Sequence, residues 1–417
     1  MTRRAVVTLG LCASVALIVA ATLVPFGALQ SPRVPARWCL VCGELWLTDG
    51  ISNVVLFTPF GIALSLLGVR WWRVASISFA FSLLIEYMQS IGLPPARSAA
   101  WADVVANTLG GLAGVLVVQL RQWAVAPTPR LATRLTLLWS LGAIAVLAFT
   151  SKALGFRDDA RDVGIYKRSS YDHTPGMGWF GGLVEFASVD TFRTTQRGTG
   201  PVMVETAVEP RTVTMAAVLR GREEGNALVP IVFVHKIGDT SAVTFIAERA
   251  DAAELLVSRK AWDWGLAMPS LTLPGVFANR TVTDTRVLRL SAIAAPDHLE
   301  LHARSAYFDG DRTMLLTPTL GWTMIQTLIK RDSTFAIVAR VGWLITLVFP
   351  IGWFGAQSGA RWKSILGVAI GIVVLSVSTM PRVFGVAPIA LGEWETMTLL
   401  VVSAAIVARQ RLRAVSR

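Results

Sequence analysis

Three stretches decide the fold: Asn53-Val-Val-Leu-Phe57-Thr-Pro59-Phe-Gly61, Glu86-Tyr-Met-Gln89, and Asp103-Val-Val-Ala-Asn107-Thr-Leu-Gly110-Gly111. Each puts polar side chains near one end of an apolar segment. The last two are joined by a loop holding Pro94, Pro95 and Arg97. An ionisable or amide group inside a membrane segment is costly unless it finds a partner or water, and by default it points to function. Glu86 and Gln89 are three residues apart, Asp103 and Asn107 four, so each pair shares a helix face. Gly110, Gly111 and Gly114 let a neighbouring helix approach closely.

The surrounding composition sets the class. Of 417 residues, 53% are hydrophobic and 16% charged, with mean hydropathy +0.55, which excludes an ordinary soluble domain and predicts a polytopic α-helical membrane protein. A net charge of +12 raises nucleic acid as a partner, but the cations lie at the ends of apolar runs, where membrane topology accounts for them. About eight segments, near 5–24, 51–69, 74–92, 103–120, 132–150, 335–356, 363–381 and 388–408, match the length needed to cross roughly 30 Å of hydrocarbon. If Arg3 and Arg4 are cytoplasmic, the inner loops collect Arg70, Arg73, Arg121, Arg130, Arg134, Arg361, Lys363 and the tail Arg409, Arg411, Arg413 and Arg417. The outer loops then hold only Arg33, Arg37, Arg97 and Arg382. Both termini are therefore expected inside, and the first segment is read as a retained helix rather than a cleaved signal peptide.

The chain divides into four parts: residues 1–125 with four helices, 126–154 with a fifth, an insert over 155–330, and a three-helix bundle over 331–417. The insert carries short runs rich in β-formers, at 202–208, 212–219, 231–234, 242–246, 255–257, 287–290 and 299–302, separated by Gly, Asp, Asn and Pro. That rhythm predicts an all-β sandwich, placed outside by the topology. In the first outer loop, Cys39 and Cys42 suit a local disulfide in an oxidising compartment. Cys12, in the first apolar run, is expected to pack as a small residue.

The order Asn53-x-x-Leu56-Phe57-x-Pro59-x-Gly61, Glu86-x-x-Gln89, Arg97 and Asp103-x-x-x-Asn107-Thr108-x-Gly110 resembles the VanZ-like family over about residues 5–121. The resemblance implies a bacterial membrane protein of the cell envelope. The family's founding member is associated with resistance to teicoplanin. Ser98-Ala-Ala-Trp101 departs from the more polar sequence that many members carry there. The insert is loosely similar to a laminin-G or concanavalin A-like jelly roll, in strand rhythm and in Pro274-Gly275-Val276-Phe277 and Tyr307-Phe308-Asp309-Gly310.

Two readings of the polar residues stand side by side. In one, Asn53, Glu86, Gln89, Arg97, Asp103 and Asn107 are interhelical ties. In the other they form a ligand pocket near the outer leaflet, with Arg97 as the anion contact and Glu86 and Asp103 as candidate catalytic groups. The leading expectation is an envelope-associated binding or resistance protein, with membrane lipids and an envelope glycan or peptidoglycan-related ligand as partners. The alternatives are an intramembrane enzyme acting on a lipid-linked head group, and a transporter or assembly scaffold. No cofactor or metal site is expected: a nucleotide-binding loop, a zinc motif and a nucleophile elbow are all missing. His298, Glu300 and His302 share one strand face and are read as solvated. Trp262 and Trp264 share a face if their segment is extended, and are assigned to core packing ahead of sugar stacking. Arg340 is expected to snorkel outward or to pair with Glu393 or Glu395.

Overall fold

With no water to bond its backbone, an apolar run in a membrane is stable only as a helix or in a closed barrel. The long apolar runs of this chain are helices. A computed structural model describes residues 2–24, 38–43, 45–93, 98–156, 162–167, 182–189, 192–194, 202–205, 211–219, 228–236, 242–278, 287–325 and 334–415. Five helices come first: α1 (Arg3–Leu23), α2 (Trp46–Leu66), α3 (Trp71–Ser90), α4 (Trp101–Val125) and α5 (Pro129–Ala153). Thr2 and Thr128 cap α1 and α5 through their hydroxyls, and Pro129 opens α5, where a missing N–H costs nothing. Helices α2 and α4 meet backbone to backbone. A Cβ added at Gly61 would collide with the backbone of Gly111, and one at Gly114 with the backbone of Thr58, Gly61 and Ile62.

Among the described residues twelve strands follow: β1 (Asp162–Lys167), β2 (Gly182–Val189), β3 (Phe192–Thr194), β4 (Val202–Glu205), β5 (Arg211–Leu219), β6 (Leu228–Lys236), β7 (Ala242–Arg249), β8 (Ala252–Val257), β9 (Ser270–Leu273), β10 (Val287–Ala294), β11 (His298–Arg304) and β12 (Asp309–Leu315). They form two six-stranded sheets, in the orders β4-β1-β6-β7-β8-β9 and β12-β11-β10-β5-β2-β3, and every strand pairing in them is antiparallel. Strands β10 and β11 alternate cleanly, turning Leu288, Leu290, Ala292, Leu299, Leu301 and Ala303 inward. These residues share one core with Ile231, Val232, Ile246, Leu255 and Val257 of the other sheet. Between β8 and β9 lies the one-turn helix α6 (Lys260–Asp263), which holds Trp262, so the extended face expected for Trp262 and Trp264 is not formed. Trp264 stacks on Phe149 of α5 at 4.9 Å.

After β12 come a 3-10 turn at Pro318–Leu320, the short helix α7 (Gly321–Met324), and then α8 (Thr334–Gly355), α9 (Trp362–Phe384) and α10 (Leu391–Val415). Among the described residues, seven helices are long and apolar enough to cross a membrane: α1, α2, α4, α5, α8, α9 and α10. The expectation of eight is corrected at α3. Arg73, Ser76, Ser78, Ser82, Glu86, Gln89 and Ser90 lower its average hydropathy, yet Ser78, Ser82, Glu86 and Gln89 are buried. Its exposed surface is Trp71, Trp72, Ile77, Phe79, Leu84 and Tyr87. An average along the helix does not distinguish an inward polar stripe from an outward one. Cys12 also departs from expectation: it is exposed on α1 rather than packed.

The sheets are tied directly to the helices. The backbone N–H groups of Leu47 and Thr48 donate to the Gly265 carbonyl at 3.0 and 3.1 Å. The Thr48 hydroxyl donates to the Met324 carbonyl at 2.6 Å and accepts from the Ala267 N–H at 2.8 Å. Thr48 is 1% exposed. Replacing Thr48 by Val keeps the shape and removes both bonds, leaving the two backbone groups only their bond to each other, from the Ala267 N–H to the Met324 carbonyl at 3.1 Å. The expected outcome is a loss of about 1–3 kcal/mol, read as a lower melting temperature of the purified full-length protein.

Candidate functional site

The polar stripe of α3 runs Ser78, Ser82, Glu86 at every fourth residue, in line with Val74 and continued by Gln89, and all five are buried. Glu86, 2% exposed, accepts the Ala100 N–H at 2.8 Å through Oε2. The Ala100 carbonyl in turn accepts the N–H groups of Asp103 and Val104, so Glu86 fixes the point at which α4 begins. A carboxylate suits that place, because a helix N-terminus carries partial positive charge. Asp103 sits half-buried in the same first turn. The structure therefore gathers both candidate catalytic carboxylates at one helix start. Arg97 and the adjoining Pro94 and Pro95 lie outside the described residues.

The remaining members have separate attachments. Gln89, 4% exposed, donates through Nε2 to the Thr22 carbonyl of α1 at 3.3 Å. Asn107, 1% exposed, donates through Nδ2 to the Ser82 hydroxyl of α3 at 2.8 Å. Among the described residues, Asn107 Oδ1 and the Ser78 hydroxyl are buried with no hydrogen-bond partner. Asn53 is half-buried on α2 and makes no side-chain hydrogen bond among the described residues, so nothing joins it to the others. Ser82 and Thr22 belong to this network, Ser78 lies in line with it on α3, and sequence reasoning singled out none of the three. The four-residue spacing of Ser78, Ser82 and Glu86 was the signal that could have found the two serines.

The short stretch before α2 that holds Cys39 and Cys42 closes over the start of α4. Cys39 and Cys42 form a disulfide with their Cα atoms 5.8 Å apart. Cys39 bridges Ala100 in parallel, with its N–H donating to the Ala99 carbonyl and its carbonyl accepting the Trp101 N–H, both at 3.0 Å. Both sulfurs lie 3.4 Å from the Ala99 carbonyl oxygen, and Trp38 packs on Trp101 at 5.0 Å. Ala99 and Ala100 are buried beneath this loop, which gives their small side chains a packing reason.

On the sheets, His298 and His302 flank Glu300 at 3.4 and 3.5 Å, and Asp297 meets the other nitrogen of His298 at 2.7 Å. Among the described residues no group of three or more His, Cys, Asp or Glu is placed to hold a metal. The face of β5, β10, β11 and β12 turned away from the core carries a cleft whose polar side chains include Thr214, Arg289, Ser291, His302, Arg304 and Asp311. In the last bundle Arg340 pairs with Glu393 at 2.6 Å.

Residues 6–122 match the VanZ/LLP1 family model, so α1 through most of α4, with the Glu86 network, form a VanZ-like domain. The match ends before α5, the sheets and the last three helices. No curated protein and no solved structure matches the chain.

Glu86→Ala removes the acceptor that the Ala100 N–H uses, whereas Glu86→Gln keeps a carbonyl oxygen in its place. Thermal melts of the full-length variants are expected to show a loss of about 1–3 kcal/mol for Ala and a clearly smaller one for Gln.

Proposed function

We propose that the chain is a multi-pass protein of the bacterial cytoplasmic membrane that acts by binding at the outer face of the cell envelope. In this reading both termini are cytoplasmic, and the two sheets, a jelly roll of the laminin-G or concanavalin A type, stand outside. The VanZ-like domain is then a rigid base. The observation that carries the binding reading is the commitment of Glu86, Gln89 and Asn107 to the Ala100 N–H, the Thr22 carbonyl and the Ser82 hydroxyl. Side chains spent on joining helices are poorly placed to turn over a substrate. The orientation is supported by two features at opposite ends of the helices. The Cys39–Cys42 disulfide, which suits an oxidising compartment, lies on the Trp46 side, where the sheets attach. On the other side Arg73 lies over Trp72, and Lys363 and Arg409 over Trp362, against the pair of Lys152 over Trp264 on the sheet side, in keeping with an excess of Lys and Arg at a cytoplasmic interface.

Membrane lipids and an envelope glycan or peptidoglycan-related ligand are the proposed partners, and a contribution to teicoplanin-type resistance is the proposed outcome. A second reading has one specific support. Among the described residues, Asn107 Oδ1 and the Ser78 hydroxyl are buried without hydrogen-bond partners, and such groups call for an explanation beyond helix joining. An intramembrane enzyme with Glu86, Arg97 and Asp103 is that second reading.

Deletion and complementation in the native host separate the two. Loss of the protein is expected to lower tolerance to teicoplanin but not to a drug with a cytoplasmic target, and Glu86→Gln is expected to restore tolerance in full. Normal membrane levels of Glu86→Gln without restored tolerance would turn the reading toward catalysis. Unchanged tolerance on deletion would remove the glycopeptide assignment.

A further inference from the structure

The helix ends opposite the sheets carry a surface of one charge sign. Arg130 and Arg134 lie in the first turns of α5, Arg361 and Lys363 stand at the start of α9, and Arg409 and Arg411 lie in the last turns of α10. These ends are held together. The Trp353 indole N–H donates to the Ala124 carbonyl at 2.8 Å, and a Cβ added at Gly359 would stand 3.4 Å from the Pro129 side chain. No aspartate or glutamate occurs in residues 104–157, 333–392 or 396–417. The nearest acid on α10, Glu395, is about 21 Å along the helix from Arg409. Among the described residues Arg361, Lys363, Arg409 and Arg411 make no ion pair and no side-chain hydrogen bond. The rule that orients membrane proteins counts Lys and Arg and is nearly indifferent to Asp and Glu. Orientation therefore accounts for the cations but not for the lack of carboxylates among them.

Trp362 gathers two of these cations. The Arg409 guanidinium stands 5.4 Å from the centre of its ring and the Lys363 ammonium 5.9 Å. A ring attracts a cation through its quadrupole and neutralises nothing, so two like charges are held around one side chain. Next to them the helices become apolar and outward-facing. On α9 Val368 is 57% exposed, and on α10 Ile406, one turn before Arg409, is 51% exposed. Cations, an interfacial tryptophan and an apolar helix surface thus follow one another along α9 and α10.

We propose that this end binds an anionic phospholipid, its phosphate held by Lys363 and Arg409 and its chains lying along Val368 and Ile406. Basic pockets between helices at a membrane surface suit such head groups, and charge-assisted hydrogen bonds from ammonium and guanidinium groups to phosphate are the strong ones. The apolar surface beside the cations favours a lipid over a soluble polyanion. The inference rests on the membrane placement proposed above, and on neither the orientation nor the teicoplanin assignment.

The test titrates full-length protein in detergent with phosphatidylglycerol and phosphatidylcholine, read by native mass spectrometry. Each cation near an anionic surface is worth about fivefold, so two give phosphatidylglycerol an expected preference of roughly thirtyfold. Lys363→Gln combined with Arg409→Gln is expected to remove most of that preference and leave phosphatidylcholine binding unchanged. Arg361→Gln with Arg411→Gln, more exposed positions, is expected to lower it partly. Arg289→Gln with Arg304→Gln, on the sheets, is expected to leave it as in the wild type. Equal retention of the two lipids by the wild type would overturn the proposal, as would an unchanged preference in both helix-end variants. Inorganic phosphate or an oligonucleotide displacing the lipid at equal concentration would overturn the amphiphile and assign the surface to a soluble anion. Membrane placement is read separately, by retention of the protein in alkaline-washed membranes, so its failure is distinct from failure of lipid selectivity.

Discussion

The architecture depends on satisfying the backbone of one buried segment, Leu316 to Ile325. A buried carbonyl or N–H without a partner is costly, so each must be accounted for. Here the partners come from every part of the protein. Leu316 bonds the Asp297 carbonyl through its N–H and the Ala387 N–H through its carbonyl. The Met324 carbonyl accepts from the Thr48 hydroxyl, and the Ile325 carbonyl accepts from the Ser52 hydroxyl, both side chains on α2. Thr319 reaches Glu393 of α10, and a Cβ at Gly321 would strike Thr150 of α5 and Trp343 of α8. The sheets are therefore set on the helices through a bonded junction rather than carried on a loose stalk.

The helical parts are joined by two further devices. Small residues bring backbones together, at Gly61, Gly110, Gly111 and Gly114 in the VanZ-like domain and at Gly352 against Val401 between α8 and α10. Tryptophans bridge bundles with their indole N–H groups: Trp139 to the carbonyls of Thr346 and Leu347, and Trp353 to that of Ala124. In an apolar surround these contacts replace the hydrophobic drive that packs helices in water. Ala153 and Leu154 at the end of α5 enter the core of the sheets, so the fifth helix belongs to both layers.

Much of this was legible in the sequence, because hydropathy over twenty residues and alternation over six are averaged signals. The long helices and strands β4 to β8, β10 and β11 are read that way. Motif order also placed Glu86 and Asp103 at facing helix ends, but sequence does not show whether their side chains converge. What escaped has a physical reason in each case. Helix α3 was read as an eighth span, but the polar groups it hides inside keep it out of the seven most apolar helices, and a mean does not record direction. Strand β12, Asp309-Gly-Asp-Arg-Thr-Met-Leu315, is polar along an edge and carries a weak β signal. Thr48 looks ordinary as a letter, and its importance comes from bonds to Met324 and Ala267, 276 and 219 residues away in the chain.

Hydrogen exchange on the full-length protein in lipid nanodiscs, read by mass spectrometry, tests the junction most directly. A bonded junction makes the amides of 316–325 open together with those of β10 and β11, and slowly. Fast exchange across 316–325 while β10 and β11 stay protected would show that the sheets hang from a flexible linker, and would contradict the rigid base on which the account rests.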